Sequence, residues 1–216
     1  MKTILCYGDS LTYGSNPVMG GPRHAYEDRW PTALERGLNG AARCIAEGLG
    51  GRTTVHDDWY ANADRNGVRL LPTLLSSHGP LDMVIIMLGT NDIKPFHGRN
   101  ALEASWGMRR LIQTIRAHSA GERWPEPRII IVAPPVTVLA DGHPEMMIHF
   151  GHEAAIEASS GFAEMYERRA QEEGVGFFDA GGVAKTSPAD GIHLDAANTR
   201  AIGEGLVPLV RQMLAV

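Results

Sequence analysis

Apolar residues gather along this chain in five short runs at wide spacing, at 3–7, 42–47, 83–88, 128–133 and 175–179. In the third and fourth, Val84-Ile85-Ile86-Met87-Leu88 and Ile129-Ile130-Ile131-Val132, successive side chains are apolar, so both faces of the extended chain need cover. Such strands belong in a parallel sheet with helices on each side. Between the runs the apolar residues recur at helical spacing. Trp30, Leu34 and Leu38 share a face in 28–38; Val68, Leu71 and Leu75 do so in 66–78; Met108, Leu111, Ile112 and Ile115 do so in 101–118. Two further helices are expected over 153–173 and 196–214, the last kinked or ended early by Pro208. Strand alternating with helix predicts right-handed crossovers and an α/β fold, a three-layer doubly wound five-stranded parallel sheet in the flavodoxin-like order 2-1-3-4-5. The stretches 12–27, 52–65 and 134–150, rich in Gly, Pro, His or Asp, read as long functional or interfacial loops.

Composition narrows this without changing it. A chain of 216 residues, 44% of them hydrophobic, suits one α/β domain spanning 1–216. Twenty Lys and Arg against 25 Asp and Glu give a net charge of -5 with no basic cluster, which argues against nucleic acid as a partner. No apolar run approaches the ~20 residues of a membrane span. The opening residues turn to Gly8-Asp9-Ser10 before a signal-peptide core forms, so a cytoplasmic protein is expected. Cys6 and Cys44 fall in strands and read as buried, reduced thiols.

In an open α/β sheet, ligands bind beyond the carboxyl ends of the strands, near the switch point. There the first strand meets Gly8-Asp9-Ser10-Leu11-Thr12, the second Gly48-Leu49-Gly50-Gly51-Arg52-Thr53, and the third Gly89-Thr90-Asn91-Asp92. A serine hydroxyl needs an adjacent base to become a nucleophile. Asp190-Gly191-Ile192-His193 offers an imidazole with a carboxylate three residues before it, able to fix the tautomer and balance an imidazolium. Two strand spacings are about 10 Å, and roughly ten residues of extended chain after Asp179 span about 30 Å, so this loop can reach Ser10.

Taken in order, Gly8-Asp9-Ser10-Leu11, Gly51, Gly89-x-Asn91-Asp92 and Asp190-x-x-His193 resemble the four motifs of the GDSL/SGNH hydrolases. The resemblance implies Ser10 as nucleophile, His193 as base and Asp190 as orienting acid. It implies an oxyanion hole from the N–H groups of Ser10 and Gly51 and the amide of Asn91, with Gly50 the alternative to Gly51. Leu11, Thr90 and Ile192 are expected to touch the substrate. The fuller wording around these motifs is similar to the bacterial arylesterase and acyltransferase branch, which acts on short acyl esters, forms homo-oligomers and needs no cofactor. Ser15-Asn16-Pro17 lacks the bulky aromatic expected near the entrance in that branch.

Other readings compete. Within the family stand a thioesterase or lysophospholipase and a carbohydrate deacetylase. From another class comes a flavodoxin-like module holding a phosphate or nucleotide at the same strand ends, which has no use for Asp190 and His193. Gly48-x-Gly50 lacks the acid a dinucleotide loop requires. His143, His149, His152 and Glu153 lack the His-Glu-x-x-His pattern, so no metal is expected. Asp92 is expected to be structural. Trp59, Trp106 and Trp124 are expected in packing or at an interface. The apolar residues of 134–150 predict a homo-oligomer meeting beside the active-site mouth, where an alcohol or hydrogen peroxide competes with water for the acyl group.

Overall fold

The computed structural model describes residues 1–18, 21–98, 100–121, 125–140 and 142–216. Five parallel strands run β1 Lys2–Gly8, β2 Ala42–Gly48, β3 Met83–Met87, β4 Arg128–Ala133 and β5 Gly176–Asp179, in the order β2-β1-β3-β4-β5. This is the expected doubly wound sheet. Its register aligns the strand ends. Gly8 lies opposite both Gly48 and Met87, so the carboxyl ends of β1, β2 and β3 are level and their loops form one row.

The period of two along β1 divides the interior. Leu5 and Tyr7 join Val84, Ile86, Ile129 and Ile131 on one face, and Ile4 and Cys6 join Met83, Ile85, Ile130 and Val132 on the other. Helices α3 (Gly67–His78), α4 (Ala101–Ala120) and α7 (Phe162–Glu173) cover the first face. The second lies under α2 (Trp30–Gly37) and α8 (Ala196–Leu214). These last two approach so closely that a Cβ on Gly203 would lie 2.3 Å from the Trp30 carbonyl oxygen. Side-chain caps open the longer helices: Asn66, Asn100 and Asp195 accept from the N–H groups of Arg69, Glu103 and Asn198.

Several expectations are corrected. Ser10–Tyr13 is a four-residue helix, α1, where irregular chain was expected. The predicted helix over 153–173 is two, α6 (Glu153–Ser160) and α7, parted at Gly161. There Ser159 and Ser160 turn their hydroxyls onto the carbonyls of Ile156 and Glu157, and glycine follows. Pro208 does not end α8, which runs on to Leu214. Residues 134–150 contain helix α5 (Pro144–Phe150), opened by proline at its first position. Pro134, Pro135, Met147 and Phe150 are buried in the chain's own interior, which leaves Val136, Leu139 and Ile148 as the segment's exposed apolar residues. Cys6 is buried, but Cys44, on the edge strand, is only half buried; both thiols are free. Trp59 and Trp106 are exposed, and Trp124 lies outside the described residues. No described helix is long and apolar enough to cross a membrane.

Candidate active site

Ser10 follows β1 directly and opens α1. Asp9 caps that helix by accepting the Leu11 N–H at 2.9 Å, and Gly14 closes it in a left-handed conformation. So short a helix fixes the serine backbone while its N–H, in the first turn, finds no helical carbonyl.

From the far end of the sequence the loop after β5 brings His193 to the same place. Its Nε2 lies 2.9 Å from Ser10 Oγ, and its Nδ1 lies 2.5 Å from Asp190 Oδ2. A carboxylate only accepts, so Nδ1 carries the proton and Nε2 is left to accept from the serine hydroxyl. Asp190 Oδ1 takes the backbone N–H groups of Ile192 and His193 at 3.0 and 2.9 Å. Burial works against the charge on Asp190, but the bond and charge of His193, with those two N–H groups, hold the carboxyl below its usual range. The loop is itself tied down. Val138 N–H donates to Gly191, Ser187 N–H donates to His193, and the His24 ring donates to the Leu194 carbonyl at 2.8 Å.

The row of loops supplies the rest. Asn91 Nδ2 donates to Asp9 Oδ2 and to the Arg52 carbonyl, both at 3.2 Å, which fixes the nitrogen side of the amide. Gly51 has a φ of +81°, and a Cβ there would meet the Arg65 guanidinium at 2.7 Å, so glycine is required for the turn and for close packing. Arg52 is buried over the Tyr7 ring and donates to the carbonyls of Gly8 and Glu47, binding the ends of β1 and β2 together.

Ser10, His193 and Asp190 are thus brought together, with Gly51 and Asn91 in the adjoining loops. Leu11 and Ile192 instead belong to the two cores, and Thr90 is buried. A cavity of about 360 Å³ beside His193 is lined by Tyr13, Asn16, Val18, Arg23, His143 and Met146, among others. Of the remaining histidines, His149 stacks against Phe96 and Phe150, and His152 precedes α6. Among the described residues no three His, Cys, Asp or Glu side chains converge as a metal site.

Sequence reasoning missed a buried polar layer under the site. Asp92 accepts from both the N–H and the hydroxyl of Thr54. Burial pushes its carboxyl up to about 7; the Thr54 bonds pull it down and the charge of Asp9 pushes it up. Burial likewise raises Asp9 to about 6, against the pull of the Leu11 N–H and the charges of His193, Arg52 and Lys94. Lys94, also buried, is brought down by burial to about 8. The signal was the run of polar residues after β2 and β3, Arg52-Thr53-Thr54 and Asn91-Asp92, where a merely solvated loop needs no such set.

The raised carboxyls have a consequence for stability. Both lie above the usual 3.8, so the folded chain keeps protons that the unfolded chain releases. Their stabilisation is complete below about pH 4 and is lost as pH rises through about 7. Asp92→Asn cannot titrate. Its melting temperature relative to the parent should therefore improve between about pH 4.5 and pH 8 in thermal unfolding. A difference that stays constant across that window would mean Asp92 titrates as an ordinary carboxyl.

The comparisons agree with this site. The profile of the GDSL-like Lipase/Acylhydrolase family matches residues 6–201. No curated protein matches the chain. Among solved structures, the chain is similar to a carbohydrate acetylesterase family member from Sinorhizobium meliloti, with 47% identity and a TM-score of 0.95 over 100% of both chains. A putative arylesterase from Agrobacterium tumefaciens is 49% identical, with a TM-score of 0.88 over 99% of this chain and 100% of that one. The M. smegmatis aryl esterase is 38% identical, with a TM-score of 0.92 over the same shares. With a matching profile over most of its length and these relatives along all of it, the chain belongs to the GDSL-like lipase/acylhydrolase family.

Proposed function

We propose that this protein is a serine esterase acting on short acyl esters through an acyl-serine intermediate. The observation that carries the reading is the unbroken chain of hydrogen bonds from Ser10 Oγ through the His193 ring to Asp190. In the first step His193 Nε2 takes the hydroxyl proton as Ser10 Oγ attacks the ester carbonyl. Asp190 keeps the ring oriented and balances the imidazolium. The oxyanion is received by the N–H groups of Ser10 and Gly51 and by Asn91 Nδ2. The two present bonds of that amide are at the long end of the normal range, so a full negative charge competes well for its hydrogens. His193 then hands its proton to the departing alcohol, leaving acyl-Ser10. Water, deprotonated by the same imidazole, attacks the acyl carbon and releases the acid. An alcohol or hydrogen peroxide in place of water gives acyl transfer or a peracid.

The S. meliloti, A. tumefaciens and M. smegmatis neighbours are carbohydrate acetyl- or arylesterases by name, and this favours an acetyl or similarly short acyl group. Covalent labelling tests the reading. A 4-nitrophenyl phosphonate should add one phosphonyl group to Ser10, found by peptide mass analysis, and the rate of labelling should collapse in His193→Ala. A folded protein that takes up no label would leave a ligand-binding module as the better account.

A further inference from the structure

The cavity beside His193 is lined by Tyr13, Asn16, Arg23, His143, Asp190 and His193, and by neither Gly51 nor Asn91. Which half of an ester it holds follows from the proton path. The alcohol leaves by taking its proton from His193 Nε2, so it must sit on the histidine side of the serine, away from the oxyanion donors. The cavity is therefore the alcohol side of the site. An apolar alcohol would not call for this lining.

Arg23 is the unusual member. Its Nε donates to the Tyr13 carbonyl at 2.5 Å, and its guanidinium carbon lies 3.8 Å from the centre of the Tyr13 ring. These two contacts lay the guanidinium flat and occupy its Nε–H. The terminal N–H groups are left as a fork that suits a carboxylate, sulfate or phosphate. Among the described residues Arg23 forms no ion pair. Arg29, which donates twice to the His24 carbonyl, is near enough for its charge to act on Arg23. The lining carboxylate, Asp190, already accepts from His193 and two backbone N–H groups. In a chain of net charge -5, a cationic spot has been kept beside the reacting serine. A surface arginine serving solubility alone needs neither a stacked ring nor a bound Nε.

We infer that Arg23 is a specificity-determining residue, and that the preferred substrates are short acyl esters whose alcohol portion carries an anionic group. The inference rests on the esterase reading above and deepens it. Holding the anion in place costs the protein little ordering, because the guanidinium is already positioned.

A matched pair of substrates tests it: 4-acetoxybenzoate, with its carboxylate on the leaving phenol, and the neutral methyl 4-acetoxybenzoate. The quantity read is the ratio of kcat/KM for the anion to that for the neutral ester, which each protein supplies as its own control. From the parent to Arg23→Gln this ratio should fall about tenfold, as loss of a charge-assisted pair implies. Most of the change should appear in KM, and Arg23→Lys should recover part of it. Added salt should lower the parent's ratio and leave that of Arg23→Gln flat. Equal proportional losses for the two esters would mean that Arg23 only braces the Tyr13 loop, and would overturn the inference. So would a ratio that does not change. A parent enzyme that hydrolyses both esters but ignores the charge sinks the inference alone. A parent that hydrolyses neither removes the esterase reading, and this one with it.

Discussion

Ser10→Ala and His193→Ala should each lower the turnover of a short-chain ester by about 10⁴- to 10⁶-fold, with the melting temperature little changed. The size follows from the geometry. Ser10 Oγ and His193 Nε2 are 2.9 Å apart, so the oxygen is nucleophilic only while that ring can take its proton. Either substitution abolishes the same step, and the double variant should be no slower than the worse single one. Each side chain is small or partly exposed, and the strands and helix that position it remain. What activity survives comes from binding and oxyanion stabilisation alone. A pure, folded Ser10→Ala protein with near-parental turnover would falsify the assignment, and losses that multiply in the double variant would deny that the two act as a unit.

Asn91→Ala should cost about 10²–10³ in kcat, with KM changed far less. Asn91 is 3% exposed and its Nδ2 is held by Asp9 and the Arg52 carbonyl, so the donor is in place before substrate arrives. Such a donor needs no reorganisation when charge develops, which is why its loss appears in the chemical step. Asn91→Asp is the sharper variant. It keeps the shape but sets a carboxylate against the raised carboxyl of Asp9 and against the developing oxyanion, and should be slower than Asn91→Ala. Steady-state kinetics on one ester distinguishes the outcomes. A loss confined to KM would make Asn91 a ground-state binder.

How much of this was legible from residues alone depends on how local the cause was. The strands Met83–Met87 and Arg128–Ala133 were plain because a strand covered on both faces must be apolar throughout. The site motifs were plain because they follow strands at the level ends of the sheet, where backbone turns demand Gly at Gly14 and Gly51. What escaped was either too short to show a period or set by contacts distant in sequence. Helix α1 has four residues and no repeat to read. The division at Gly161 was hidden because apolar spacing carries across it. Pro208 looked like a stop because its missing N–H breaks one helical bond, but α8 is anchored on α2 along the face carrying Gly203, Leu206 and Val210. The pairing of Asp92 with Thr54 spans 38 residues, and that of Arg23 with the cavity depends on a loop whose shape no pattern encodes.

The hydrogen bond between Ser10 and His193 joins residues 183 positions apart and closes across the sheet from β1 to the loop after β5. During synthesis the serine is therefore made long before its base. Until the fifth strand and its loop have emerged and docked, Ser10 is an ordinary alcohol, inert toward any ester the nascent chain meets. A chain truncated or nicked ahead of His193 stays in that state. Reactivity in this protein is accordingly a report on the finished fold, and a phosphonate that marks Ser10 counts the molecules that have reached it.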